Sequence, residues 1–173
     1  MPTSQSPFDS FAAGFAKGQP QLVHRELVAD TQTPVSAYLK LAGDKTNCFL
    51  LESVEGGAVR GRFSVIGIAP DLIWRCRNGV AEINHAPQDT DKFVADDKPP
   101  LLSLRALMAE SAMTDTGDLP PMAAGLFGYF GYEMIRQIET IPDSNKAAID
   151  MDDSLLLRPS LIAIFDRLKD SIT

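Results

Sequence analysis

Hydrophobic residues recur at the three- and four-residue spacing of one helix face in three segments of the chain, which are residues 8–15, 35–42 and 101–111. The first two segments open at Pro7 and at the pair Thr33-Pro34, and Gly18 and Gly43 follow them. Proline is favoured in the first turn of a helix, and glycine is favoured just after its end. The pattern therefore predicts three amphipathic helices.

Runs of β-branched and aromatic residues, separated by Gly, Pro and Asn, predict successive antiparallel strands. They cover residues 21–29, 47–53, 62–69, 71–77 and 80–85. Asn78-Gly79 joins two of these runs and predicts a type I′ hairpin turn, because both central residues of that turn need a positive φ. Strand alternation then predicts two faces for the hairpin, Leu72, Trp74 and Cys76 on one and Ile73, Arg75 and Arg77 on the other.

The second half of the chain is more irregular. Residues 86–99 and 143–153 are acidic and predict solvated connections, residues 122–130 predict a strand, and residues 133–137 begin a short helix. Residues 161–165 predict a strand that turns at 166–170 into a return strand of three residues. Because so short a return strand leaves an open sheet edge, we expect Thr173 to be an artificial or processing boundary rather than a natural domain end.

Composition predicts one globular domain, with an N-terminal helix in residues 1–19 and a sheet-rich body in residues 20–173. The chain has 173 residues, 45% of them hydrophobic, and a net charge of −7. That charge has the wrong sign for binding nucleic acid. The longest uncharged run has 14 residues, fewer than the roughly 20 that span a bilayer. We expect no membrane segment and, without a signal peptide, a reducing cytoplasmic location.

The residues that most often carry catalysis or bind metals are few and widely spaced. Cys48, Cys76, His24 and His85 form none of the spacings typical of a metal site, and both cysteines lie in apolar runs where they predict buried packing. Glycines recur every third residue at 125, 128 and 131, but no nucleotide-binding motif accompanies them. They indicate close backbone packing in a strand.

Three motifs in sequence order carry a family resemblance: LLES at residues 50–53, GRFSVIG at residues 61–67 and GLFGYFGYE at residues 125–133. Together they resemble the N-terminal half of anthranilate synthase component I, from about residue 20 to the end of the chain. The resemblance implies an α+β fold, an antiparallel β-sheet sandwich with flanking helices that is incomplete without the C-terminal half. It also implies a single N-terminal regulatory domain of a larger enzyme.

In that family the missing part carries the chorismate pocket, the Mg²⁺ carboxylates and the catalytic histidine. The resemblance therefore implies no catalytic residue, no metal and no cofactor in this chain, which alone is predicted to be inactive. The parent enzyme is expected to convert chorismate and ammonia, supplied from glutamine by an amidotransferase subunit or domain, into anthranilate and pyruvate. Its expected partners are this amidotransferase, its own C-terminal chorismate-binding domain and L-tryptophan as an allosteric inhibitor.

The family's tryptophan contacts map onto the matching positions Pro34, Leu51, Glu52 and Ser53. Glu52 is expected to bind the ammonium group, Ser53 to offer a hydroxyl and an N–H, and Leu51 with Pro34 to form part of the apolar wall. By charge alone, Arg60 or Arg62 is the candidate for the carboxylate, since some members carry a basic residue where this chain has Phe63. A plainer interpretation is that these residues form an ordinary strand and the turn after it.

Three competing functions stay open. Component I of aminodeoxychorismate synthase shares the glycine-aromatic strand, although LLES and GRFSVIG favour anthranilate synthase. The second is a stand-alone amino-acid-binding module without catalysis, and the third is a purely structural domain. If tryptophan does bind, we expect it to bias a two-state arrangement of this domain and the missing half.

Overall fold

The computed structural model describes residues 7–55, 59–89, 92–113, 116–142 and 149–173. In these ranges the chain has an α+β fold, with one antiparallel sheet and helices beside it. The helices are α1 (Pro7–Ala16), α2 (Pro34–Ala42) and α3 (Pro100–Glu110), with short 3-10 turns at Pro121–Ala123 and Tyr132–Gln137. The strands are β1 (Leu27–Val28), β2 (Phe49–Glu55), β3 (Val59–Arg77), β4 (Val80–Asn84), β5 (Val94–Ala95), β6 (Phe127–Phe130), β7 (Ser154–Asp166) and β8 (Ser171–Ile172).

Two long antiparallel strands, β3 and β7, form the centre of the sheet. Along one half of this pair, β2 lies outside β3, and β8 followed by β1 lies outside β7. Along the other half, β4 and β5 lie outside β3 and β6 lies outside β7. The β3–β7 register shifts between Pro70 and Leu72, next to Ala69 with φ 50°. This irregularity separates the two halves, as β-bulges bend and twist strands.

Helix α2 covers the half of the sheet that contains β2. Thr33 is its N-cap and forms a reciprocal capping box with Ser36, which satisfies the first backbone donors of the helix. Its buried face packs on residues of β3 and β7, among them Ile66 and Phe165. This packing fixes the start of the helix above the end of β2 and the turn between β7 and β8.

Helix α3 covers the other half around the fully buried Trp74. The Trp74 Nε1–H donates to the hydroxyl of Ser103 at 3.0 Å, and this hydroxyl donates to Asp96 Oδ2 at 2.7 Å. The hydrogen-bonded chain joins the sheet, the helix and the loop before the helix. A further apolar cluster includes the stacked rings of Phe49 and Phe127, whose centroids are 4.9 Å apart.

The three predicted amphipathic helices and the hairpin turn are confirmed. Asn78 and Gly79 both have positive φ, and one of the two predicted faces of the hairpin, that of Leu72, Trp74 and Cys76, is fully buried. The α+β class and the antiparallel sheet are confirmed as well, and the strands form one continuous sheet. Both histidines are exposed, and Cys48 is half-buried.

Several predicted boundaries are wrong. Residues 62–69 and 71–77 lie in a single strand, and the predicted strands at 21–29 and 122–130 shorten to Leu27–Val28 and Phe127–Phe130. The helix predicted from residue 133 is a 3-10 turn, and the strand predicted at 161–165 is already formed from Ser154. The acidic connection at 86–99 contains the short strand β5, and residues 143–148 of the second connection lie outside the described residues.

The prediction of an open sheet edge beside the last strand is also wrong. β8 pairs with β7 on one side and with β1 on the other, where Leu27 lies opposite Ile172. The N-terminal segment therefore covers the edge that the short return strand would have left unpaired. None of the described helices is both long enough and apolar enough to cross a bilayer.

Candidate functional site

A cavity of about 480 Å³ opens between the start of α2, the end of β2 and the turn that joins β7 to β8. Pro34 and Val35 line it from the helix, Glu52 and Ser53 from β2, and Phe165 from β7. Asp166, Arg167, Asp170 and Ser171 line it from the turn and its flanks. The cavity thus joins three elements that are distant in the sequence.

Sheet register brings these side chains together. Glu52 pairs with Ser64 on β3, and Ser64 pairs with Phe165 on β7, so the three residues form one row across the sheet. Phe165 packs in the cluster that α2 covers. Side chains in one row of paired residues point to the same face, so Glu52 points toward the helix side.

An ion pair between Arg167 and Glu52 joins the β7–β8 turn to β2 in the wall of the cavity. Arg167 Nη2 donates to Glu52 Oε1 at 3.0 Å and to the buried hydroxyl of Ser64 at 3.1 Å. The other terminal nitrogen, Arg167 Nη1, is buried and has no hydrogen-bond partner among the described residues. A buried donor without a partner costs about 1–3 kcal/mol, and more when it is charged. The wall therefore contains an unused hydrogen-bonding group.

A second pair lies beside it. Arg62 makes a two-point contact with Asp166, with Nε to Oδ1 at 3.0 Å and Nη2 to Oδ2 at 2.6 Å. This hydrogen bonding lowers the pKa of the Asp166 carboxyl, and the Leu168 N–H, which also donates to Asp166, lowers it further. Both Asp166 oxygens and two of the Arg62 donors are thereby occupied.

The side chain of Ser53 occupies space that is free only because residue 61 is a glycine. A Cβ added at Gly61 would lie 1.8 Å from the Ser53 Oγ and 2.9 Å from the Ser53 carbonyl carbon. The close approach of these two strands fixes the position of Ser53 at the rim of the cavity. Glycine in a strand interior commonly marks such an approach.

The charges of the lining favour a ligand with a cationic group. Glu52, Asp166 and Asp170 contribute three carboxylates, and Arg167 contributes one cation. Because Arg62 neutralises Asp166, one negative charge is left over. Pro34, Val35 and Phe165 add apolar surface, so the cavity suits a small molecule that has both an ammonium group and an apolar part.

The structure places the predicted site residues as follows. Pro34, Glu52 and Ser53 line one cavity. Leu51 does not line it and is 51% exposed, because its side chain alternates with that of Glu52. Arg62 lies beside the cavity in its pair with Asp166, and the side chain of Arg60 lies outside the described residues.

Sequence reasoning missed Arg167 and Asp170. Both lie in residues 166–170, which the sequence identified only as a hairpin turn. A turn rich in charged residues normally indicates solvent exposure, and no local spacing links it to residue 52. The only available signal was the unusual concentration of Arg, Lys and Asp in a turn that follows a buried strand.

A larger opening of about 890 Å³ lies between the segment before β1, helix α2 and the face of β7, and it shares Gln32 and Phe165 with the first cavity. Its lining includes Leu22, Leu41 and Ile162 and is mostly apolar. None of the predicted site residues contributes to it. Within the described residues no group of three or more His, Cys, Asp or Glu side chains is placed to hold a metal ion.

The fold and the cavity together define an α+β domain with one curled antiparallel sheet and a ligand-sized cavity under a capped helix. Comparison with known proteins makes the relationship specific, although no protein-family model matches the chain. The chain is 48% identical over 167 residues to anthranilate synthase component 1 of Cereibacter sphaeroides, which covers 96% of this chain and 33% of that protein. It is 34% identical over 146 residues to anthranilate synthase component 1 of Thermus thermophilus, covering 84% of this chain and 30% of that protein.

A solved structure supports the fold. The crystal structure of anthranilate synthase component I from Streptococcus pneumoniae matches with a TM-score of 0.55 and 24% identity, over 88% of this chain and 31% of that chain. The resemblance predicted from the three motifs is therefore confirmed: this chain is a homologue of anthranilate synthase component I. It spans about a third of the length of the curated relatives it matches.

Proposed function

We propose that this chain is the regulatory part of an anthranilate synthase component I and that it binds L-tryptophan in the cavity beneath α2. The whole protein would convert chorismate and ammonia, released from glutamine by an amidotransferase partner, into anthranilate and pyruvate in the cytoplasm. The observation that carries the proposal is the convergence of Pro34, Glu52 and Ser53, residues from two distant segments, on one cavity.

The chemistry of the cavity suits a free amino acid with a large apolar side chain. Its volume of about 480 Å³ falls in the range of roughly 300–1,000 Å³ that is typical of small-molecule sites. Glu52 would bind the ammonium group in a charge-assisted hydrogen bond, and Ser53 would supply a hydroxyl. Pro34, Val35 and Phe165 would pack against the indole.

Catalysis is assigned to the part of the protein that the longer relatives have in addition. The described residues here offer no ligand set for Mg²⁺. Chorismate, Mg²⁺ and the catalytic histidine would belong to that additional part, and no step of the reaction is assigned to this chain. On this proposal the chain alone would be inactive.

The place of the cavity supports the proposed regulatory role. A ligand there would contact a helix, a strand end and a turn at once, so it would favour the arrangement in which these three elements are correctly spaced. Allosteric inhibition requires such a difference in affinity between two arrangements of the protein. The β7–β8 turn bears two of the lining side chains, Arg167 and Asp170, and we expect it to adjust when a ligand binds.

Calorimetric titration of L-tryptophan into the protein as the cell makes it tests the proposal, together with inhibition of anthranilate formation. Glu52→Gln should weaken binding about 10- to 100-fold, since a hydrogen bond to a charged group contributes about 1.5–3 kcal/mol. Glu139→Gln, which changes an exposed glutamate outside the cavity lining, is the matched control and should bind like wild type. Absence of saturable binding in the wild-type protein would refute the proposal.

Analysis of the product distinguishes the related enzyme. Formation of anthranilate supports the assignment, whereas formation of 4-amino-4-deoxychorismate, with no response to tryptophan, would assign the protein to the aminodeoxychorismate synthases. Saturable tryptophan binding without either product would leave the stand-alone binding module.

A further inference from the structure

We infer, on the basis of the proposed function, that Arg167 is the residue that selects ligands with a free carboxylate. In the structure Arg167 is paired with Glu52. We propose that a zwitterionic amino acid separates this pair, with its ammonium on Glu52 and its carboxylate on Arg167.

The first observation is the incomplete hydrogen bonding of the Arg167 guanidinium. Nη2 has two acceptors, Glu52 Oε1 at 3.0 Å and Ser64 Oγ at 3.1 Å, whereas Nη1 is buried with no partner among the described residues. An arginine can offer two parallel N–H groups to a carboxylate, and this two-point geometry is its strongest arrangement. The Glu52 contact uses only one terminal nitrogen.

The second observation is that the pair is accessible and joins separate elements. The side chains of Arg167 and Glu52 are 26% and 39% exposed, and they lie on the β7–β8 turn and on β2. Ion pairs with this degree of exposure contribute little to stability, so separating one costs little when both partners are satisfied again. Turning the guanidinium toward a ligand would free Glu52 at the same time.

The third observation excludes the neighbouring arginine. Arg62 is engaged by both oxygens of Asp166, at 3.0 and 2.6 Å. Arg167 is the single cation among the described residues that line the cavity. Of the two arginines that the sequence offered for the carboxylate, Arg62 is therefore already engaged and the side chain of Arg60 lies outside the described residues, and we assign the role to Arg167.

The exchange makes binding selective for zwitterions. A ligand with an ammonium group but no carboxylate would take Glu52 and leave Arg167 without its anionic partner. A ligand with both groups leaves neither protein charge unpaired and also satisfies Nη1. We therefore expect the protein to bind L-tryptophan at least tenfold more tightly than tryptamine or tryptophan methyl ester.

The test combines ligand analogues with variants of the protein as the cell makes it. Dissociation constants for L-tryptophan and tryptamine are measured by calorimetry in wild type, Arg167→Gln, Arg167→Lys and Arg105→Gln. Arg105 is an exposed arginine on α3 and provides the matched control. Arg167→Gln should weaken tryptophan binding at least tenfold and leave tryptamine binding equal or stronger, which brings the ratio of the two constants near one. Arg167→Lys should restore part of the ratio, and Arg105→Gln should preserve it.

The results separate this inference from the function on which it rests. If wild type binds tryptophan but binds the methyl ester equally well, the inference is wrong, and this comparison needs no variant to fold. An Arg167→Gln protein that weakens both ligands equally, or neither, also overturns it, since Arg167 would then have only a structural role or none. If wild type fails to bind tryptophan at all, the proposed function fails first.

Discussion

Ser103→Ala tests whether the buried hydrogen-bonded chain under α3 stabilises the fold. Ser103 is 1% exposed, and its hydroxyl accepts from the fully buried Trp74 and donates to Asp96. The substitution removes one oxygen atom, so the cavity it leaves is negligible. Its effect is therefore almost entirely the loss of two hydrogen bonds.

The expected loss of stability is about 2–4 kcal/mol. Leaving the Trp74 N–H buried without a partner costs about 1–3 kcal/mol, and a hydrogen bond to a carboxylate contributes about 1.5–3 kcal/mol. Asp96 keeps its contacts with the Lys98 N–H and ammonium, which reduces the second loss. Alanine recovers roughly 0.5 kcal/mol through its higher helix propensity.

Trp74 is the single tryptophan of this chain, so its fluorescence reports the unfolding of this core directly. For an m-value of about 2 kcal/mol/M, the urea midpoint should fall by about 1–2 M with m unchanged. Ser160→Ala is the control: its exposed hydroxyl donates to the Ala69 carbonyl, and water can replace it. A Ser103→Ala midpoint as close to wild type as that of the control would refute the reasoning.

The same variant should change the acid stability. In the wild-type protein the contacts of Asp96, chiefly that with the Ser103 hydroxyl, lower the pKa of its carboxyl to about 2 from an ordinary 3.8. A lowered folded-state pKa gives stability that is complete above the ordinary value and is lost as the pH falls toward 2. The difference in unfolding free energy between wild type and Ser103→Ala should therefore shrink between pH 4 and pH 2.

Three further predictions concern the cavity and the core. Gly61→Ala should destabilise the protein and weaken tryptophan binding, because the new methyl group overlaps Ser53; calorimetry and urea unfolding measure both effects, and adding Ser53→Gly should recover part of the stability. Burial, with help from a nearby carboxylate, raises the pKa of Cys76 to about 11. Iodoacetamide at pH 8 should therefore modify Cys76 only in urea, as mass spectrometry of native and unfolded samples would show. Rapid modification of Cys76 in the native protein would contradict its burial. Arg62→Met should raise the pKa of Asp166, since Arg62 lowers it in the folded protein. The stability from this pair is present above the ordinary carboxyl pKa and fades as the pH falls below it, so the free energies of unfolding of the variant and of wild type should converge in acid. An unchanged Asp166 titration by NMR would contradict the assignment.

Local signals predicted those parts of the fold that are determined locally. Thr33, Pro34 and Gly43 fix the ends of α2 through capping and backbone preference, and Asn78-Gly79 fixes a turn through its positive φ. These effects act within a few residues, so the sequence reveals them. Pro34, Glu52 and Ser53 came from motifs that match a known family, and the structure adds that they share a cavity.

The continuity of β3 could not be predicted. Pro70 lies inside it, and a proline normally ends or displaces a strand because it lacks an N–H. Here Pro70 lies opposite Pro159 at the irregularity in the ladder, so the two residues that lack an N–H face each other where the register shifts. That pairing joins residues 89 positions apart and depends on the register of the whole sheet.

Arg167 was missed for a similar reason. Its relation to Glu52 exists only after β2, β3 and β7 align Glu52, Ser64 and Phe165 in one row. The charged residues around position 167 are the only local signal, and they fit a solvated turn as well as a cavity wall. The carboxylate role was therefore sought among arginines near the motif rather than across the sheet.

The pairing of β1 with β8 has a consequence for how the protein folds during synthesis. Leu27 pairs with Ile172, which is synthesised about 145 residues later, so this edge cannot form before then. At roughly 5–20 residues per second, translation leaves β1 without its partner for about 7–30 s. During that interval its backbone donors and acceptors are open to strands of other chains. Slower elongation would lengthen this exposure, so the yield of folded protein should depend on translation speed.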